Sequence, residues 1–279
     1  MAIVLESSAY TTNGTAVTTV AATKPTGVIV GDLLVAVLVG VEAGGGANQT
    51  FSSSGWTAYS SQDLNQIGVA TASTVFYKMA DSSDVSASTY TFTGTTTFGA
   101  ISAVLMRISG ARSSGIAALN SEHSSINSTF ATTITPAANS LLVFVVSNYR
   151  NTDVISTYAI VTSNPTWTEQ YDNQMTGTSY NHRFALATAI RPEATATGDS
   201  SCTASVSNTI GAIMMAISPS VVTTTSDTLT ITDSVTPRGI YKPSISDTVT
   251  NTDSITANKQ RKWRTPNKNS SSWVNQDKT

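Results

Sequence analysis

One strand-like segment occurs twice in this chain and constrains the fold more than any other feature. Residues 31–39 read Gly-Asp-Leu-Leu-Val-Ala-Val-Leu-Val, and residues 139–147 read Asn-Ser-Leu-Leu-Val-Phe-Val-Val-Ser, an offset of 108. Downstream, Trp56 corresponds to Trp167 at an offset of 111, and residues 98–101 resemble residues 210–213 at an offset of 112. Slowly growing offsets are what insertions in the loops between matched strands produce. Residues 1–110 and 111–219 are therefore predicted to be two related β-sandwich repeats.

The composition favours an all-β fold. Charged residues make up only 11% of the chain and aromatic residues 7%, while Ser, Thr, Ala and Gly are abundant. Segments rich in Val, Ile, Thr, Tyr or Phe and bounded by turn residues predict strands in the first repeat near 3–9, 15–22, 32–41, 67–79, 88–94 and 99–108. About seven such strands per repeat is the size of a small sandwich.

Two arrangements of the repeats fit this pattern. Each repeat forms a separate jelly-roll-like sandwich, or the two repeats pair as the two sheets of one larger sandwich related by a pseudo-twofold axis. Only residues 110–115 separate the repeats, so we favour an intimate unit with a shared or continuous core.

After residue 219 the sequence changes to a short-period repeat. Residues 226–236 recur as residues 246–256 with identity at eight of eleven positions. Two copies cannot bury a core unaided, so residues 220–258 are predicted to be an extended segment. It lies along the body, adds to the sheet edge of a neighbouring subunit, or forms a Thr/Ser/Asp-rich stalk. The segment contains four regularly spaced aspartates, for which solvation is favoured over calcium binding: Asp227, Asp233, Asp247 and Asp253.

Residues 259–279 form a basic tail with a Trp/Lys repeat. The tail has six basic residues and one acidic residue, a net charge of +5, whereas residues 1–258 carry −7. Two Trp-x-x-x-x-Lys units give it candidate assembly residues, namely Trp263, Lys268, Trp273 and Lys278. An exposed tryptophan is costly unless it docks, so we predict an anchoring tail; a solvated terminus is the alternative. No nucleic acid partner is expected, because the basic cluster is short and no recognition fold surrounds it.

Chemistry-bearing residues are sparse. His123 and His182 have neither a nucleophile elbow nor metal-ligand spacing beside them, and we predict both to be surface residues. Cys202 is the only cysteine and is expected to be a small buried residue. Glycoside hydrolysis needs two facing acids, and no sequence rule pairs the candidates Asp63, Glu122, Glu169 and Asp172. We therefore expect no enzyme, no catalytic residue, no cofactor and no metal site.

The sequence also bears on localisation. Residues 1–6 have no basic n-region, and the apolar runs near 33–39 and 141–146 are too short to span a bilayer. We expect neither Sec export nor a membrane partner.

Several of these motifs resemble a known type of protein. The Gly-Asp-Leu-Leu-Val-Ala strand after Thr23–Gly27, the Gly55-Trp56-Thr57 turn and the strand at residues 99–101 resemble a duplicated, jelly-roll-like β-sandwich module of uncharacterised tailed-phage and bacterial proteins. The segment from residue 226 and the Trp/Lys units resemble C-terminal regions of tailed-phage structural proteins. The resemblance implies no catalytic residues.

The resemblance and the tail lead to one main hypothesis and one alternative. The main hypothesis is a virion structural protein, in capsid decoration, fibre or tail, made in the host cytoplasm and bound to other virion proteins and to copies of itself. The alternative is a carbohydrate-binding adhesin that recognises a host-surface glycan through Trp56, Trp167 or Tyr171.

Overall fold

The computed structural model shows an almost entirely β chain with antiparallel sheets. It describes residues 2–43, 49–63, 69–124, 129–130, 133–148, 155–160, 165–176, 181–204, 210–220, 230–236 and 244–250. The chain divides into two compact units, residues 1–222 and residues 223–279.

The first repeat contains eight strands and one short helix. They are β1 Val4–Asn13, β2 Val17–Thr23, β3 Leu33–Ala43, β4 Phe51–Ser52, β5 Thr57–Asp63, β6 Val69–Met79, α1 Ser82–Ser86, β7 Thr89–Phe98 and β8 Ala100–Ser109. All six strands predicted from the sequence are present, with bounds shifted by a few residues. The sequence did not predict β4, β5 or α1.

The second repeat also contains eight strands. They are β9 Ala111–Ser124, β10 Thr129–Phe130, β11 Ser140–Asn148, β12 Ile155–Ile160, β13 Thr168–Thr176, β14 Asn181–Arg191, β15 Ser200–Ala204 and β16 Ile210–Pro219. In the second unit, β17 Thr230–Thr236 pairs with β18 Ser244–Thr250.

The two repeats have the same topology. The first has a five-stranded sheet in the order β1-β8-β3-β6-β5 and a three-stranded sheet in the order β2-β7-β4. The second has β9-β16-β11-β14-β13 and β10-β15-β12, the same orders with each strand number raised by eight. Apart from the neighbouring pairs β5–β6 and β13–β14, successive strands within a repeat alternate between two antiparallel sheets, so each repeat is a jelly-roll-like sandwich. We call the five-stranded sheets the inner sheets and the three-stranded sheets the outer sheets.

Three apolar clusters show how the four sheets stack. One cluster fills the first sandwich and includes Leu38, Phe92 and Ile101; a second fills the second sandwich and includes Phe144. A third, the shared core, joins residues of both inner sheets, among them Val35 and Val143. The inner sheets therefore pack face to face, and the described residues of the first unit form four layers in the order outer, inner, inner, outer.

Burial on both faces explains the apolar runs. Leu33 to Val39 are all at most 1% exposed, because alternate side chains enter the shared core and the cores of the first sandwich. Val75 and Phe76 of β6 are likewise buried on opposite faces, in the shared core and in the core of the first sandwich.

The inner sheets meet through a reciprocal contact. Strand β1 lies against β13, and β9, the counterpart of β1, lies against β5, the counterpart of β13. Reciprocity of this kind is what an approximate twofold axis produces.

Backbone irregularities are also duplicated. Gly31 and Asn139, which precede the two apolar strands, both adopt positive φ, at 93° and 57°. Asparagine is among the few residues that tolerate this conformation, so the turn is kept although its residue changed. The ladders of β5 and β13 also shift at matching places, where Tyr59 and Gln170 are the extra residues of β-bulges.

The strand register corrects one of the sequence correspondences. Leu33 pairs with Ile108 and Leu141 pairs with Ile217, so β8 and β16 are related by an offset of 109, not 112. The offset taken from the sequence is wrong by three residues. Because three is an odd number, the matched side chains lie on opposite faces of the strand. Ile101 accordingly lies in the core of the first sandwich, whereas Ile213 lies in the shared core.

Candidate functional site

The two tryptophans proposed for ligand contact occupy equivalent positions, one before β5 and one before β13. The ring of Trp56 lies edge-on to Tyr90 with centroids 5.1 Å apart and packs on the first sandwich. The ring of Trp167 lies 6.1 Å from that of Phe144 and packs on the second sandwich. Each ring is half-buried and packs against the core of its own sandwich. Ligand contact by either ring stays a prediction.

Tyr171 lies where the two repeats meet. Its hydroxyl donates a hydrogen bond of 2.8 Å to Oγ of Ser8, and its ring lies 5.7 Å from that of Tyr10. These contacts give Tyr171 a role in joining β13 to β1, so any contact of this residue with a ligand would be additional to that role.

A groove lies beside this contact, between the β1 edge of the first inner sheet and the β13–β14 edge of the second. Its volume is about 620 Å³, within the range of roughly 300–1,000 Å³ that is usual for small-molecule sites. Residues 3–8 form one wall, and Thr168, Gln170 and Thr188 stand on the other. Val4 and Ile190, each 44% exposed, give the groove an apolar margin.

The groove carries several polar groups with capacity to bind a ligand. Glu6 accepts a hydrogen bond of 2.5 Å from Ser109 through Oε1, which leaves Oε2 without a partner among the described residues. Gln170 donates from Nε2 to Oγ1 of Thr188 at 3.0 Å, so its Oε1 is a further acceptor. Ser8 Oγ accepts from Tyr171 and retains its own proton as a donor. Sequence reasoning missed this groove because its residues are ordinary strand residues.

His182 is buried, which corrects the prediction of a surface histidine. Its exposure is 0%, and neither ring nitrogen has a hydrogen-bond partner among the described residues. His182, Phe184 and Leu186 lie two residues apart along β14, so their side chains share one face of the strand, the face that forms the shared core. The spacing of two residues from Phe184 and Leu186 was the sequence signal that could have predicted the burial of His182. The side chain of His123 lies outside the described residues.

The burial of His182 predicts a pH dependence of stability. Burial lowers the pKa of His182 from 6.5 to about 4. Between these values the unfolded chain binds a proton that the folded chain does not, so stability falls as the pH falls through this window. From pH 7 to pH 4.5 this residue contributes a loss of about 2 kcal/mol in the free energy of unfolding. Urea unfolding of the wild type and His182→Leu at both pH values measures it. Equal pH dependence in the two proteins would contradict this assignment.

The other residues that could carry chemistry are the cysteine and the four candidate acids. Cys202 is 1% exposed, which confirms a buried structural residue, and burial raises the pKa of its thiol to about 12. Among the acids, Asp172 pairs with Arg183, while burial raises the pKa of Glu169. The side chains of Asp63 and Glu122 lie outside the described residues.

The structure describes only some of the C-terminal residues that were candidates for calcium binding or anchoring. The register of β17 and β18 places Asp233 directly opposite Asp247. Asp227, Asp253 and the anchoring candidates Trp263, Lys268, Trp273 and Lys278 lie outside the described residues.

The described residues hold no group of three or more His, Cys, Asp or Glu residues that could bind a metal ion. No helix in the same residues is long and apolar enough to cross a membrane. Comparison with family models, curated proteins and solved structures finds no match for this chain.

Proposed function

We propose that the chain is a structural subunit of a virion, in capsid decoration, fibre or tail, whose β-sandwich body is displayed while its C-terminal segment attaches it to the particle. The observation that carries the proposal is the division of the chain into a four-layer body and a separate C-terminal unit. A body whose core runs through both repeats suits a subunit that must stay folded on an exposed surface.

Charge distribution supports attachment through the tail. Residues 259–279 carry +5 and the rest of the chain −7, so the tail of one subunit is attracted to the body of another copy or to an acidic neighbouring protein. The two tail tryptophans supply the apolar area that makes such a contact durable, since aromatic anchors dominate most interfaces.

Deletion of residues 257–279 tests the proposal. The truncated protein is expected to keep the thermal unfolding midpoint of its body and to lose incorporation into the assembled particle or oligomer, measured by native mass and by particle composition. Trp263→Ala with Trp273→Ala should reproduce most of the loss. Ser270→Ala with Ser271→Ala in the same tail is the matched control and should have no effect. Full occupancy of the truncated protein in the assembly would refute the anchoring role.

A further inference from the structure

The groove exists because the two repeats differ at positions that their shared topology makes equivalent. Thr188 of β14 corresponds to Tyr77 of β6, since they pair with Thr168 and Thr57 respectively. Gln170 corresponds to Tyr59, because both are the extra residue of the same bulge. Two tyrosines in the first repeat are therefore replaced by shorter polar residues in the second.

At the first repeat's end of the interface, aromatic rings occupy the equivalent space. The rings of Tyr59 and Tyr77 lie 6.3 Å apart in an edge-on arrangement. Tyr77 also lies so close to Gly115 of β9 that a Cβ atom there would come within 2.4 Å of the ring. Counted from the paired positions Leu5 and Ile116, Gly115 corresponds to Val4. Side chains of the protein thus fill the space where β5 and β6 meet β9, while the equivalent space where β13 and β14 meet β1 remains an open groove.

From this asymmetry we infer that the groove binds a neutral saccharide of one or two rings. The carboxylate of Glu6 and the amide oxygen of Gln170 accept from sugar hydroxyls, while Ser8 donates. Val4 and Ile190 offer apolar area to the C–H face of a sugar ring. Glu6 is the single charged residue among those that line the groove, which disfavours anionic sugars.

A peptide strand fits the groove less well. Strand addition needs a regular edge of free backbone groups, but β1 carries a bulge at Glu6, where the ladder shifts between Leu5 and Ser7. The inference is independent of the tail and of any particle, and it places saccharide recognition at residues other than Trp56 and Trp167.

A titration of the full-length protein tests the inference. The probes are glucose, galactose, N-acetylglucosamine, maltose, lactose and N,N′-diacetylchitobiose, each followed by saturation-transfer NMR up to roughly 10 mM, since a lone shallow site gives dissociation constants near the millimolar range. At least one probe is expected to bind saturably. Absence of binding by all six overturns the inference.

Variants then locate the binding. Glu6→Gln and Thr188→Val keep side-chain volume and should each weaken binding about tenfold, the first by removing the charge of an acceptor and the second by removing the hydroxyl that holds the amide of Gln170. Thr93→Val, the same change on the exposed face of β7, is the matched control and should bind as the wild type. Val4→Gly with Thr188→Tyr installs the Gly115–Tyr77 pair of the other end and should abolish binding. Two results would overturn the assignment to the groove. One is unchanged binding in both Glu6→Gln and the double variant Val4→Gly with Thr188→Tyr; the other is a loss of binding in Thr93→Val as large as that in Thr188→Val.

Discussion

Asp32→Ala is expected to lower the free energy of unfolding by about 3 to 4 kcal/mol. Asp32 is 3% exposed; its Oδ2 accepts from Arg107 Nε at 2.6 Å and from the backbone N–H of Ile29 at 2.9 Å. Removing the carboxylate leaves the guanidinium of Arg107, which is 16% exposed, and a backbone donor without their partner. Urea unfolding monitored by tryptophan fluorescence measures the change.

The second repeat supplies both a control and a rescue for this prediction. Asp199→Ala removes an exposed carboxylate that accepts a long hydrogen bond of 3.4 Å from Oγ1 of Thr133, and it should cost less than about 0.5 kcal/mol. At the positions equivalent to Asp32 and Arg107 the second repeat has Ser140 and Ala216. There Ser140 donates to the carbonyl of Ala137 at 2.7 Å, without an ion pair. Asp32→Ser with Arg107→Ala should therefore recover more than half of the loss, and a double variant as unstable as Asp32→Ala would contradict this account.

Phe184→Ala is expected to have a similarly large effect, about 3 to 5 kcal/mol, because it leaves a cavity in the shared core. Phe184 is fully buried, and its ring centroid lies 6.0 Å from that of Tyr10 in the other repeat. Phe184→Leu keeps most of the volume and should cost much less. Val85→Ala, at a position that is 44% exposed, is the surface control and should change stability by less than about 0.5 kcal/mol. A Phe184→Ala effect as small as that of the control would show that the repeats do not share a core.

The sequence predicted the strands that are buried on both faces more reliably than the strands at sheet edges. Leu33 to Val39 stood out as a continuous apolar run, and the duplication showed that it would recur. Strand β5 was missed because Thr57–Asp63 is a polar edge strand with a bulge, so its side chains show neither an apolar run nor strict alternation. Strand β9 begins at Ala111, within residues 110–115, which the sequence suggested as the boundary between the repeats.

The candidate site depended on information that the sequence alone does not carry. The equivalence of Thr188 with Tyr77 follows from strand pairing, and the equivalence of Gln170 with Tyr59 follows from a bulge. The offset assigned to β8 and β16 was wrong by three residues, an odd number. A comparison guided only by similar residues therefore assigned side chains to the wrong face of the strand. The groove became visible once the register fixed which residues of the two repeats face each other.

Hydrogen exchange of the Asp32→Ala variant tests the central claim, that two sandwiches share one core and unfold together. The substitution lies in the first repeat, at the start of β3. If the claim holds, the backbone amides of β11 (Ser140–Asn148) lose as much protection free energy as those of β3 (Leu33–Ala43), because both exchange through one global unfolding. Loss of protection confined to β3, with β11 unchanged from the wild type, would show two independent domains and contradict the account.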